Sequence, residues 1–144
     1  MAVARKTANQ TVVGVAFADV TDLTFSVAAN TDYYFRFIVH YQTNATTTGA
    51  RFAINGPATP TALRVGGHLP TSTTAANFGS QTAYDTAIFA ATAGPGATTV
   101  MCIIEGVFRN GANAGTLALR MAAELASPGS ITAYTDSHGI LNTI

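Results

Sequence analysis

The sequence predicts an all-β domain, an antiparallel β-sandwich without substantial helix, and three observations carry that expectation. Apolar and polar residues alternate with period 2 in run after run. Turn sequences rich in Gly, Asn, Asp and Pro separate those runs. No strand–helix–strand alternation of the kind that builds a parallel sheet is present.

Thr11 to Val20 reads as a first strand. Leu23, Phe25 and Val27 then alternate with Thr24 and Ser26, and Ala28–Asp32 is a turn of the Asn/Asp type. The clearest strand follows. Tyr33, Phe35, Phe37, Val39 and Tyr41 share one face, while Tyr34, Arg36, Ile38 and His40 share the other. So many aromatic and β-branched residues in succession suit a central strand, and its first face is a candidate core or interface surface. Phe52 and Ile54 mark another strand, closed by Asn55-Gly56-Pro57. Leu63 and Val65 mark a short one that ends at Gly66-Gly67.

Pro70 to Gln81, rich in Ser, Thr and Asn, reads as a long loop, and Tyr84 to Ala91 as a further strand before the breaker Gly94-Pro95-Gly96. Val100, Cys102, Ile104 and Phe108 share one parity, and Met101, Ile103, Val107 and Arg109 the other. Both parities are apolar up to Ile104, so this strand is expected to be covered on two sides. Asn110–Gly115 reads as a hairpin loop. Beyond it Leu117, Leu119, Met121, Ala123 and Leu125 alternate with Thr116, Ala118, Arg120, Ala122 and Glu124. A helix competes here, since Leu117, Met121 and Leu125 are spaced by four and the composition favours helix. The unbroken alternation and the preceding turn weigh for a strand. Ile131–Asp136 and Gly139–Ile144 supply the last one or two. Eight to ten strands result, and the eight-stranded sandwich in common use is the jelly roll.

The chain has 144 residues and reads as one domain, residues 11–144, preceded by a polar arm over residues 1–10. Charged residues make up 10% of it, against about a quarter in an ordinary soluble domain, and the formal net charge is zero. Hydroxyls, amides and methyls must therefore form the surface. Such a surface is cheap to desolvate, which suits a subunit that becomes covered by permanent contacts. The zero net charge and the scattered basic residues argue against a nucleic-acid partner. No apolar run approaches the ~20 residues of a membrane span. The first residues lack the apolar stretch of a secretory signal, and the chain is expected to be soluble.

Catalytic and cofactor chemistry finds little support. His40, His68 and His138 lack the close spacing of metal ligands. Asp136-Ser137-His138 reads as a surface turn, because a catalytic triad converges from separate elements. His40 is expected to pack at an interface. Gly94–Thr99 lacks the lysine of a phosphate loop, and the Asn9 and Asn44 sequons matter only in a secreted eukaryotic protein. Cys102, the single cysteine, sits in an apolar run and is expected to be buried and inert. The expectation is a non-enzyme without cofactor or metal.

Four segments resemble small virion proteins of tailed bacteriophages: LTFSVAANTDYYFRF (Leu23–Phe37), TTTGARFAINGPA (Thr46–Ala58), GVFRNGANAGTLALR (Gly106–Arg120) and TAYTDSHGIL (Thr132–Leu141). The likeness runs from about Val12 to the end and is one of style and spacing. It implies a jelly-roll sandwich assembling as a homotrimer, with no shared catalytic residues. Some such proteins are cement proteins on the outer capsid surface, binding the major capsid protein across capsomer boundaries. Others are the knobs of tail or head fibres that bind a host glycan. The chain lacks shaft repeats and a coiled-coil stem, which tilts the expectation toward capsid decoration. On that reading residues 1–10, carrying Arg5 and Lys6, are a candidate arm that orders on the capsid or on a neighbouring subunit.

Overall fold

The computed structural model describes residues 1–144 as eleven strands and no helix: β1 (Ala2–Arg5), β2 (Gln10–Val13), β3 (Ala18–Val27), β4 (Asp32–Thr43), β5 (Ala50–Asn55), β6 (Ala62–Pro70), β7 (Ala76–Gln81), β8 (Val100–Arg109), β9 (Gly115–Ala123), β10 (Ser130–Ala133) and β11 (His138–Thr143). Every pairing is antiparallel. The strands form two sheets, of eight strands and three. In the larger sheet β10 and β11 lie end to end along one side of β4, with β2 beside β10 and β1 beside β11. The sheet continues on the other side of β4 through β8, β6 and β7. The smaller sheet is β3-β9-β5.

The inner faces of the two sheets share one core. Tyr33, Phe35, Phe37, Val39 and Tyr41 of β4 all point into it and are at most 7% exposed. Aromatic pairs join the layers: Phe25 meets Phe37 at 5.7 Å between ring centroids, and Phe52 meets Tyr41 edge-on at 5.7 Å. Cys102 is buried in the same core, and burial pushes its thiol pKa well up, leaving no reactive thiolate.

Several elements differ from the sequence expectation. The expected Thr11–Val20 strand is two strands, because Gly14 takes a left-handed φ of 85° and the chain leaves the large sheet there for the small one. β6 runs on through Gly66-Gly67 to Pro70, and the expected loop beyond it contains β7. These two are the only consecutive strands that pair with each other. Asn110–Gly115 is accordingly no hairpin loop, since β8 and β9 belong to different sheets. Asn110 fixes that crossing, its Nδ2 donating to the carbonyls of Ala28 at 2.8 Å and Asn113 at 2.9 Å.

The expected strand Tyr84–Ala91 is an irregular segment that closes one side of the sandwich. Its Ile88 N–H donates to Phe52 O on the free edge of β5, and Ile88, Phe89 and Ala91 are buried. Asp85 anchors it, accepting from Arg120 Nη1 at 2.6 Å and Asn55 Nδ2 at 2.6 Å. β9 is a strand despite its helix-favouring residues. As the central strand of the small sheet it buries Leu117, Leu119 and Met121 on one face and Ala118 and Ala122 on the other, and that packing overrides propensity. Leu125 falls beyond it and is exposed.

Candidate interaction surface

The first ten residues do not stand off the domain. β1 pairs with β11 over Ala2–Arg5, and β2 begins at Gln10. Between them the chain is tied down by Lys6, which is 1% exposed. Its Nζ donates to Thr21 O at 3.0 Å and to Gln10 Oε1 at 3.2 Å. The Thr21 carbonyl belongs to an irregularity in β3, where the register with β9 shifts between Asp19 and Thr24. Asp22 stands there with a φ of 71° and accepts from Thr7 through its N–H at 3.0 Å and its hydroxyl at 2.8 Å. Those bonds hold the Asp22 carboxyl below the usual range, while burial lowers the Lys6 pKa against the pull of Asp22. The expected contact pair is thereby divided. Arg5 is exposed, but Lys6 is spent inside its own chain. Lys6→Ala is expected to lower stability by roughly 2 kcal/mol, the scale of hydrogen bonds to a charged group. Amide exchange over Ala2–Arg5 should quicken while β4 and β8 stay protected. Unchanged exchange in β1 would show that Lys6 does not latch it.

Ser137 is also internal. It is fully buried, and its Oγ accepts from the His40 N–H at 2.9 Å at the break between β10 and β11. The His138 ring approaches the Asp136 carbonyl, with Nδ1 at 2.9 Å. Asp136-Ser137-His138 therefore acts as a strand junction that repairs the ladder beside β4. No group of three His, Cys, Asp or Glu side chains gathers anywhere in the chain in a way that could hold a metal ion.

What the fold does assemble is a surface. The second parity of β8, expected to be covered from both sides, faces outward from the large sheet, and nothing in the chain lies over it. Met101 is 43% exposed, and Ile103 and Val107 are half-buried. Register places these residues in rows that run across the strands. One row is Arg5, His138, Ile38, Ile103, His68 and Phe78, read from β1 to β7. Beside it lies Val3, Ile140, Arg36, Glu105, Gly66 and Ser80. His40 pairs with Met101 in a third row, so all three histidines lie on this face.

The apolar members are well exposed at the sheet edges, Phe78 at 78% and Val3 at 64%. Near the centre Arg36 Nε lies 3.6 Å from Glu105 Oε2, which also accepts from the Tyr34 hydroxyl at 2.9 Å. Arg36 Nε is shielded from solvent yet has no hydrogen-bond acceptor within reach. A second ion pair, Arg109 Nε to Asp32 Oδ2 at 2.9 Å, marks the end of the face.

That second pair also borders an open polar cleft of about 460 Å³ at one end of the sandwich, with Asn30, Thr31, Thr61, Asn110 and Thr143 in its wall. Asn110 is 3% exposed, and its Oδ1 has no partner.

Compared with protein-family models, curated proteins and solved structures, the chain matches none.

Proposed function

We propose that the chain is a structural protein of a bacteriophage virion: a jelly-roll sandwich that assembles as a homotrimer and decorates the outer capsid surface. The observation that carries this reading is the uncovered apolar face of the large sheet, on a domain with 10% charged residues and no net charge. Exposed apolar patches of this kind mark contact surfaces. A chain so poor in ions loses little solvation on being covered. The resemblance of Leu23–Phe37 and its companion segments to small phage virion proteins points the same way. The mechanism is mechanical. A three-fold assembly presents three identical patches to the major capsid protein, and modest affinities combine through avidity. No catalytic step, cofactor, nucleic acid or membrane enters it.

A fibre knob that binds a host glycan is the second reading. The polar cleft beside Asp32 and Arg109 favours it, since hydroxyl, amide, carboxylate and guanidinium groups there suit sugar hydroxyls.

Copy number separates the two. Quantitative mass spectrometry of purified source particles is expected to find the chain in amounts comparable with the major shell protein. A handful of copies would transfer it to a fibre and make the cleft the surface of interest. Absence from intact particles would overturn the virion reading.

A further inference from the structure

We propose that the outer face of the large sheet is the contact between copies of this chain, with the Arg5 end of one copy meeting the Phe78 end of the next. The inference rests on the reading of the chain as a subunit of an assembly, and it names the occupant of the face.

The two outer faces of the sandwich differ in kind. On the small sheet the exposed outward positions are polar, namely Asp19, Thr24, Ser26 and Thr116. Its apolar outward residues, Ala53, Ala118 and Ala122, are already buried within the chain. The large sheet inverts this pattern. Its outward positions include Val3, Ile38, Phe78, Met101, Ile103, Val107 and Ile140, and the chain supplies no cover.

The extent of the face fits a stable contact between subunits. Six columns of strand, counting β1 with β2 and β10 with β11 as one column each, span about 24 Å at the usual spacing, and eight residues of strand about 26 Å. The projected area is therefore about 600 Å², and side-chain relief raises the accessible area above that. Standard interfaces take about 800 Å² from each partner. The face supplies an area of that order from each copy, divided between the neighbour met at its Arg5 end and the one met at its Phe78 end.

Charge favours a second copy over a strongly charged partner. The ions of the face are paired within it, Arg36 with Glu105 near the centre and Arg109 with Asp32 at one end, leaving Arg5 and Arg64 as the unpaired charged side chains. The two ends of the central row differ as well. Arg5 stands at one end, and at the other the His68 and Phe78 rings lie 5.3 Å apart. A guanidinium placed over an exposed aromatic ring is a favourable contact. A copy turned so that its Arg5 end lies against the neighbour's Phe78 end makes that contact, whereas like end on like end opposes arginine to arginine.

The test uses the full chain and light scattering with sedimentation at micromolar concentration. Phe78→Lys and Met101→Lys, both at exposed positions, are each expected to weaken association about tenfold or more, and together about a hundredfold. Thr24→Lys on the small sheet should leave association unchanged, and circular dichroism of all variants should match the parent. The double variant Arg5→Cys/Phe78→Cys adds a measurement that does not depend on weakening. Its two thiols stand the width of the sheet apart within one chain, too far for an internal disulfide, so oxidation should give a covalent ladder whose last rung counts the copies.

If the parent chain is oligomeric but the lysine variants stay so and no ladder forms, the inference is overturned while the assembly reading survives. A monomeric parent overturns the inference and the homotrimer with it. A ladder closing at two keeps the inference and removes the three-fold assembly.

Discussion

A chain carrying Gly67→Val is expected not to fold, appearing in the insoluble fraction or as an unfolded species by circular dichroism. Gly67 lies in β6 and is paired on one side with Gly79 of β7 and on the other with Ile104 of β8. A Cβ at this position would stand 2.1 Å from Ile103 O and 3.1 Å from Ile104 Cα. Both obstacles are backbone, held in ladders that bind β8 to β6 and to β4. No side chain can swing aside. The large sheet would have to open along β6, at a cost on the order of 4 kcal/mol or more, against about 5–15 kcal/mol of stability in a typical domain. Gly66, its neighbour, is the control. The nearest atom to a Cβ there is Gly79 O at 3.1 Å and the next is Ser80 Cβ at 3.7 Å. Gly66→Ala is therefore expected to fold and to cost about 1 kcal/mol or less in urea unfolding. A Gly67→Val protein with parental stability would show that β6 and β8 have more freedom than their spacing allows.

The same two glycines mark the limit of what the sequence reveals. Read along the chain, Gly66-Gly67 looks like the end of a strand. Glycine in mid-strand signals close approach of another backbone as readily as a stop, and sequence does not distinguish them. β7 escapes notice for a related reason. It is an edge strand, and its Gly79 faces the backbone of Ile88 rather than a side-chain core, so Ala76–Gln81 carries no apolar alternation. β4 is legible because one of its faces meets the core along its whole length while the other does not. Lys6 gives no sign in sequence that it will be buried, since its partners Gln10 and Thr21 come together only when β3 loses register. The interaction surface was half visible. Met101 and Ile103 show that a second face of β8 needs cover, but a hydrophobic pattern is the same whether the cover is the chain itself or a neighbour. Only the fold shows that nothing in the chain lies there.

Stability should also fall steeply in alkali, through groups that the core keeps protonated. Tyr41 is fully buried, its hydroxyl donating to Pro70 O, and burial raises its pKa far above the ordinary 10. Burial likewise pushes Tyr84 up to about 12 and raises the Cys102 thiol. In each case the folded chain holds a proton that the unfolded chain releases, so the contribution is complete below the unfolded pKa and is lost as pH rises past it. The loss therefore begins near pH 8.5 with Cys102 and steepens above 10 with the tyrosines. Tyr41 alone implies a slope of about 1.4 kcal/mol per pH unit there, with a smaller, solvent-screened share from Tyr84. Lys6 works in the opposite sense. Its lowered pKa means that the folded chain binds fewer protons, so its contribution improves toward pH 10 and partly offsets the early loss. Urea unfolding between pH 8 and 11 measures the sum, and Tyr41→Phe isolates the largest part. That variant loses the hydrogen bond to Pro70 and should be less stable at pH 7, yet its stability should decline more gently above pH 10. Parallel declines in parent and variant would mean that Tyr41 ionises without unfolding the core, contrary to a hydroxyl sealed between the two sheets.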